Sequence, residues 1–255
     1  MKHDVAVVVP VLGDVAALAT LVGRIGSWRD SPVEIVVVAG RPDSELAKLC
    51  RDRGCRLVET TANRGAQFDR GARQARSNVL WFLHADVEPP QEGIEAIRSA
   101  LAVGAEGGCF RFAFQGPGTW YKRLLERCVA LRIALGGIPY GDQGIFVRRD
   151  VYLECGGFPH QPLFEEVRFV RRLRRRGKFR SLAQRVRVST RRWERDGWWS
   201  RTWHNRWLAF CNMLGVAPEK LAGAYLGGGA PDTEHDRGAP DAHGDRDEPD
   251  TKLNT

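Results

Sequence analysis

The stretch VLWFLHADVEPP, Val79 to Pro90, indicates how the chain is built. Five apolar residues at its start suit a strand that is covered on both faces. The strand runs directly into His84 and Asp86, and a proline pair follows. Side chains just past a buried parallel strand lie at the carboxyl edge of the sheet, where ligands bind. An aspartate in this place also commonly caps a turn or helix, and for Asp86 both interpretations stay open.

Upstream of this stretch, short β-branched runs alternate with helical patterns. Strands are predicted at Val5–Val11, Val33–Ala39 and Cys55–Thr60. Asp43 or Ser44 is placed to cap one intervening helix, and Asn63 precedes another. Strands that alternate with helices at this spacing predict βαβ units. The fold class is therefore α/β, with an open, doubly wound, mostly parallel sheet.

The second half changes in composition. A strand is predicted at Gly107–Phe114 and an amphipathic helix at Thr119–Leu135. A glycine-punctuated segment and a helix that opens with paired carboxylates follow, and a region rich in arginine and tryptophan comes last. No linker separates the halves, so residues 1–226 are expected to form one domain with a nucleotide-binding half and a variable acceptor-side half.

Charge divides the chain into two parts. Residues 227–255 carry a net charge of −5 and almost no large apolar side chains, which predicts a disordered acidic tail. Removing this contribution from the total of +8 leaves +13 on residues 1–226. Such a charge suits a phosphate-bearing ligand, nucleic acid or an anionic membrane surface. Because neither a signal peptide nor a membrane span is evident, we expect a cytoplasmic protein with reduced cysteines.

Seven motifs in order carry a family resemblance. They are VVVPVLGD, VVVAG, FLHAD, GDQGIFVRRD, GGFP, PLFEEV and RRW, within residues 4–226. With these motifs the chain resembles the family 2 glycosyltransferases, which have the GT-A fold. It looks most similar to the soluble branch associated with arsenosugar biosynthesis.

The resemblance implies a nucleotide-sugar donor and a divalent metal, Mn²⁺ or Mg²⁺. Asp86 matches a metal-binding aspartate, and His84 replaces the aspartate that usually comes first. Imidazole is a better ligand for Mn²⁺ than for Mg²⁺, although a buried, hydrogen-bonded role for His84 stays open. The usual acid at the end of the second strand is Ala39, which leaves Asp43 as a substitute. The expected donor-binding residues are Pro10, Val11, Asp14, Asp43, Arg64 and Asp86.

The resemblance also places a catalytic base in the pair Glu165-Glu166, with Glu166 at the position of the family's aspartate. We expect the helix dipole and nearby arginines to keep this carboxylate ionised at neutral pH. The alternative is that the two acids only complement the dipole. The acceptor side is expected to comprise Gly141, Asp142, Gln143, Arg192 and Trp193.

Three hypotheses about function result. The first is a metal-dependent, inverting glycosyltransferase that acts on a small-molecule or lipid-linked acceptor. The second is a degenerate member of the family that binds a sugar nucleotide without turnover. The third, nucleic-acid binding through the arginine-rich segment, is disfavoured because no recognised binding module is present. The spacing of the tryptophans from Trp198 to Trp207 predicts core or interface packing, or peripheral contact with a membrane.

Overall fold

The computed structural model describes residues 3–218 and 220–222. The predicted tail and the last four residues of the predicted domain lie outside this range. The strands are β1 (Val5–Val11), β2 (Glu34–Ala39), β3 (Arg56–Glu59), β4 (Val79–Phe82), β5 (Val87–Glu88), β6 (Gly107–Phe114), β7 (Phe146–Arg148) and β8 (Phe179–Val188). The helices are α1 (Val15–Gly26), α2 (Ser44–Asp52), α3 (Arg64–Gln74), α4 (Gly93–Ala102), α5 (Trp120–Ala134), α6 (Arg149–Glu154), α7 (Glu165–Arg175), α8 (Arg191–Asp196) and α9 (Trp198–Met213).

In the described part of the chain, the strands form one sheet in the order β3-β2-β1-β4-β7-β6-β8-β5. β1 is central to a parallel half and pairs with both β2 and β4. β7 then runs antiparallel to β4 and to β6, and β6 pairs in parallel with β8. The predicted mostly parallel α/β sheet is confirmed. The change of direction beside β4 opens a crevice past the carboxyl end of that strand.

Helices cover both faces of the sheet, as the doubly wound prediction requires. Alternate residues of β1 point to opposite faces: Val7 belongs to one apolar cluster with α1 and α4, and Val8 belongs to the other with α3 and α7. This explains why the β1 sequence is apolar at nearly every position.

The ends of the parallel strands are fixed by a buried polar side chain. Gln67, on α3, donates from Nε2 to the carbonyl of Val11 at 2.8 Å and to that of Val38 at 2.9 Å. Because β1 ends at Val11 and β2 ends one residue after Val38, this one side chain ties the ends of the two strands together. The predicted caps are confirmed: Asp43 accepts from the amide of Leu46, and Asn63 accepts from that of Ala66.

Several elements were not anticipated from the sequence. β8 pairs in parallel with β6, although its outward positions carry polar and charged residues that include Arg185 and Arg187. The short strand β5 pairs with β8 directly after Asp86. The tryptophan-rich region is two helices, because Gly197 takes a φ of 84° between α8 and α9. Of the described helices, none combines the length and apolar character needed to cross a membrane.

Candidate active site

A cavity of about 570 Å³ lies past the carboxyl ends of β1 and β4. Several elements line it: the loop after β1, the start of α3, the loop after β4, the turn before β7, the start of α7, and α8 with α9. Asp86 and Glu166 face this one cavity. The two residues that the sequence singled out for separate tasks therefore share a site.

Asp86 and His84 reach the cavity because β4 ends at Phe82. The residue before α4 is Glu92, so Asp86 does not cap that helix, and it lies in the turn between β4 and β5. The His84 ring packs edge-on against Phe68, with 5.5 Å between ring centroids. Burial lowers the pKa of His84 to about 3, with Arg64 adding to the effect. Its imidazole is therefore neutral at physiological pH, which is the form that binds metals.

Glu165 is held in place by an ion pair. Its carboxylate is 1% exposed and receives two hydrogen bonds from Arg64, from Nε at 2.5 Å and from Nη2 at 2.9 Å. Such a bidentate pair fixes both groups in position. The ion pair joins the first residue of α3 to the first residue of α7, and both helices begin at the cavity.

Glu166, the next residue, differs from Glu165 in its hydrogen bonding, and its own pKa is raised. It is 3% exposed, and its Oε2 has no hydrogen-bond partner among the described residues. Burial, followed by repulsion from Glu165, raises the pKa of Glu166 to about 8. The expectation of an ionised carboxylate at neutral pH was therefore wrong. Arg64 lowers the pKa of Glu166, but its guanidinium is bound to Glu165, and the effect of burial is larger.

The backbone before these acids has an unusual conformation. Phe164 is the one non-glycine residue with positive φ in the described ranges, at φ 59° and ψ 26°. It is buried against Leu163 and Leu208. Packing that holds a bulky residue in the left-handed region is typical of functional sites, and here it directs the start of α7 at the cavity.

The predicted acceptor residues divide into two groups. Gly141 and Asp142 line the cavity. Burial raises the pKa of Asp142 to about 6; Arg132 opposes this increase, and the charge of Asp86 adds to it. Gln143 is not among the lining residues: its amide donates to the carbonyl of Phe110 and accepts from a backbone amide of the same turn. The structure therefore gives Gln143 a role in holding the turn.

Gly141 is needed for a steric reason. A Cβ atom there would lie 2.7 Å from Nε2 of His84, closer than such contacts normally come. The glycine therefore lets the turn before β7 pack against the imidazole.

Helices α8 and α9 form a wall of the cavity that is rich in arginine. Arg192 and Trp193 line the cavity as expected, and Trp193 packs edge-on against Phe114 at 5.1 Å. Sequence reasoning missed Arg201 and Asn205, which line the cavity from α9. Their spacing of four residues on one helix was the available signal. Further lining residues that were missed are Tyr140, Leu163, Phe164, Val188, Ser189, Arg195 and Leu208.

Some of the expected donor-binding residues line the cavity, and others do not. Asp14 and Arg64 line the cavity, and Asp14 in addition caps α1 by accepting from the amide of Ala17 at 2.9 Å. Pro10 and Val11 are buried within β1, and neither they nor Asp43 is among the lining residues. The Asp43 carboxylate caps α2, so the structure gives no sign that it substitutes for the acid missing at the end of β2.

The cavity fits a divalent ion that is shared with a ligand. Among the described residues, no cluster of three or more His, Cys, Asp or Glu side chains is arranged to bind a metal alone. Asp86 and His84 together supply one carboxylate and one neutral imidazole. Mg²⁺ and Mn²⁺ sites that use few protein ligands complete their coordination with phosphate oxygens and water.

Known structures share this fold. Glucosyl-3-phosphoglycerate synthase from Mycobacterium tuberculosis, in complex with Mn²⁺, UDP and glucosyl-3-phosphoglycerate, is 16% identical; the match covers 73% of this chain and 72% of that chain, with a TM-score of 0.54. The same enzyme with Mn²⁺ and UDP-glucose gives a TM-score of 0.55 at 16% identity, covering 73% and 71%. Staphylococcus aureus TarS 1-349 gives 0.57 at 12% identity, covering 73% of this chain and 60% of that chain. The search of curated proteins found no match.

The sequence also matches a family model, described as glycosyl transferase family 2, over residues 6–158. The matched region runs from β1 to Phe158 and includes Asp86 and the turn at Gly141, but it ends before α7. Because the match spans more than half of the chain, this protein belongs to glycosyl transferase family 2 and is a glycosyltransferase with the GT-A fold.

Proposed function

We propose that this enzyme is a metal-dependent, inverting glycosyltransferase that moves a sugar from a nucleotide-diphosphate donor, UDP-sugar by preference, to a hydroxyl acceptor. The observation that carries the proposal is the position of Glu166: a buried carboxylate in the same cavity as Asp86, with one oxygen that no described residue hydrogen-bonds. Inversion requires the acceptor to attack from the side opposite the leaving diphosphate, with a base in reach of its hydroxyl.

Glu166 is better suited than Glu165 to accept that proton. Both oxygens of Glu165 are bound by Arg64, so this residue positions the start of α7. Oε2 of Glu166 has no partner among the described residues, and the raised pKa of Glu166 makes it a stronger base once ionised. A base with a pKa near the working pH is the most effective kind.

Asp86 and His84 would hold the divalent ion, Mn²⁺ or Mg²⁺. When bound, such an ion neutralises charge on the leaving diphosphate. The mycobacterial synthase, whose crystal structures contain Mn²⁺ with UDP-glucose and Mg²⁺ with UDP, is consistent with this choice of donor and ions. Arg192, which lines the same cavity, offers a guanidinium to phosphate oxygens.

On the acceptor side, we infer that Asp142 orients a hydroxyl and that Trp193 offers a flat face to a sugar ring. Both line the cavity. The motif order is similar to that of the arsenosugar-associated branch, and we propose that the chain belongs to this branch. The acceptor we propose is a small or lipid-linked molecule, and no nucleic acid takes part.

The decisive experiment uses Glu166→Gln, which keeps the side-chain size but cannot accept the proton. Release of nucleotide diphosphate from a panel of nucleotide-sugars in Mn²⁺ is measured together with donor binding. We expect turnover to fall by about 10² to 10⁴-fold, the usual contribution of a positioned base, with donor affinity unchanged. The matched control is Glu194→Gln, because Glu194 is exposed on α8 and is not among the lining residues.

Two outcomes would contradict the proposal. Full turnover in Glu166→Gln would remove this residue from the role of base. A wild-type protein that binds the donor but transfers no sugar to any acceptor would favour a degenerate family member that binds without catalysis.

A further inference from the structure

Helix α9 has two faces with opposite properties. Its inner face lines the cavity with Arg201 and Asn205 and packs Leu208 against the loop before α7. Its outer face exposes a row of large apolar side chains: Trp199 (59%), Trp203 (71%), Trp207 (62%), Phe210 (45%), Met213 (65%) and Leu214 (66%). At 100° per residue this row forms one stripe, about 24 Å long for a helix of 16 residues.

The stripe is larger than the single exposed apolar residues that are scattered over most protein surfaces. Single exposed apolar residues are normal, but a contiguous apolar patch marks an interaction site. Packing does not explain these tryptophans, because among the described residues only Trp198, at the start of α9, makes ring contacts with the body of the protein, against Phe114 and Tyr121. The core-packing interpretation therefore holds for Trp198 and fails for the three exposed tryptophans.

The charged residues on the outer face of α9 indicate which kind of partner it would bind. Arg206 is exposed within the apolar stripe, and α9 contains no aspartate or glutamate. The exposed side of α5 continues this composition, with Trp120 and Leu124 exposed next to Arg123 and Arg127. Tryptophan and arginine side chains on one helix face suit the interface between lipid headgroups and acyl chains.

We propose that the outer face of α9 docks on a membrane surface that contains anionic lipids. Tryptophan rings enter the headgroup region, and arginines pair with lipid phosphates. A second copy of the chain fits this face less well, because two such helices would bring arginines together without a carboxylate on either. Since the inner face of the same helix lines the cavity, docking would hold the active site next to the membrane.

The test is flotation of the full-length protein with vesicles of phosphatidylcholine alone and of equal parts phosphatidylcholine and phosphatidylglycerol. We expect binding to the anionic vesicles that weakens with added salt. The triple variant Trp199→Ser, Trp203→Ser, Trp207→Ser should lose about tenfold in partitioning per tryptophan removed. Its melting temperature should stay close to that of the wild type, because these side chains contribute little to the core.

Two matched controls test whether the effects are specific to the outer face of α9. Val103→Ser removes an apolar side chain that is 72% exposed at the end of α4, and it should bind as the wild type does. Arg206→Glu should weaken binding to anionic vesicles more than Arg51→Glu, which reverses an exposed arginine on α2.

Three results would overturn the proposal. The first is no binding to either vesicle. The second is binding that the triple tryptophan variant leaves unchanged. The third is a concentration-dependent dimer that this variant abolishes, which would show that a second copy covers the face. None of these depends on turnover, so a failure here is distinct from a failure of the proposed catalytic role.

Discussion

Replacing Glu166 with glutamine should change how the stability of the protein depends on pH, whether or not a substrate is present. The pKa of Glu166 is raised from its ordinary value of 4.5 to about 8 in the folded state, first by burial and then by Glu165. Between these values the folded protein keeps a proton that the unfolded chain releases. The wild type therefore loses stability as pH rises through this window, and Glu166→Gln does not.

The size of this effect follows from the same numbers. Each unit of pKa shift corresponds to about 1.4 kcal/mol, and the range from about pH 5 to pH 8 covers most of the shift of Glu166, so we expect a difference on the order of 3 kcal/mol across it. For a protein of this size, this corresponds to about 6 to 12 °C in melting temperature. The variant should melt near the wild type at about pH 5 and clearly above it at about pH 8.

The assay is thermal unfolding across pH for the wild type, Glu166→Gln and Glu194→Gln. Since Glu194 is exposed, its variant should track the wild type at every pH. If the melting temperatures of Glu166→Gln and the wild type differ by the same amount from acid to alkaline pH, the carboxylate does not titrate as proposed, and the argument from burial fails.

Two further substitutions test the surroundings of the site. Arg64→Gln should lower the free energy of unfolding by about 2 to 3 kcal/mol, because it leaves the buried Glu165 carboxylate unpaired, and adding Glu165→Gln should restore part of the loss in denaturant unfolding. An additive double variant would mean that the pair contributes nothing. Gly141→Ala should weaken Mn²⁺-dependent binding of UDP about tenfold in calorimetry by displacing His84. Gly26→Ala, where a Cβ meets no atom within 4 Å, serves as its control, and equal binding by both variants would refute this steric role.

The parallel half of the fold was predictable because its signals are local. Continuous β-branched runs marked β1 and β2, and the caps Asp43 and Asn63 stand at the helix starts that their side chains indicate. The strand β8 was missed because most of its exposed positions carry arginine or serine, which hide the period of two in a charge-rich stretch. Its partner β6 is distant along the chain, so the pairing has no local signal.

The sequence predicted where the site residues lie better than it predicted their protonation states. Asp86 and Glu166 meet in one cavity, as the motifs suggested. The protonation of Glu166 depends on burial and on Arg64 being bound to Glu165, and neither can be seen in a sequence. For Asp43 the local signal was the reliable one: its predicted helix cap is confirmed, whereas nothing in the structure supports it as a substitute for the acid missing at Ala39.

The most direct test of the account measures binding and turnover separately in two variants. UDP with Mn²⁺ is titrated calorimetrically into the wild type, Asp86→Asn and Glu166→Gln, and sugar transfer is assayed in parallel. We expect Asp86→Asn to lose UDP binding, whereas Glu166→Gln binds UDP as the wild type does and transfers sugar about 10² to 10⁴-fold more slowly. If Asp86→Asn binds UDP with Mn²⁺ as tightly as the wild type, or if Glu166→Gln still transfers sugar at the wild-type rate, the division of roles across this cavity is contradicted.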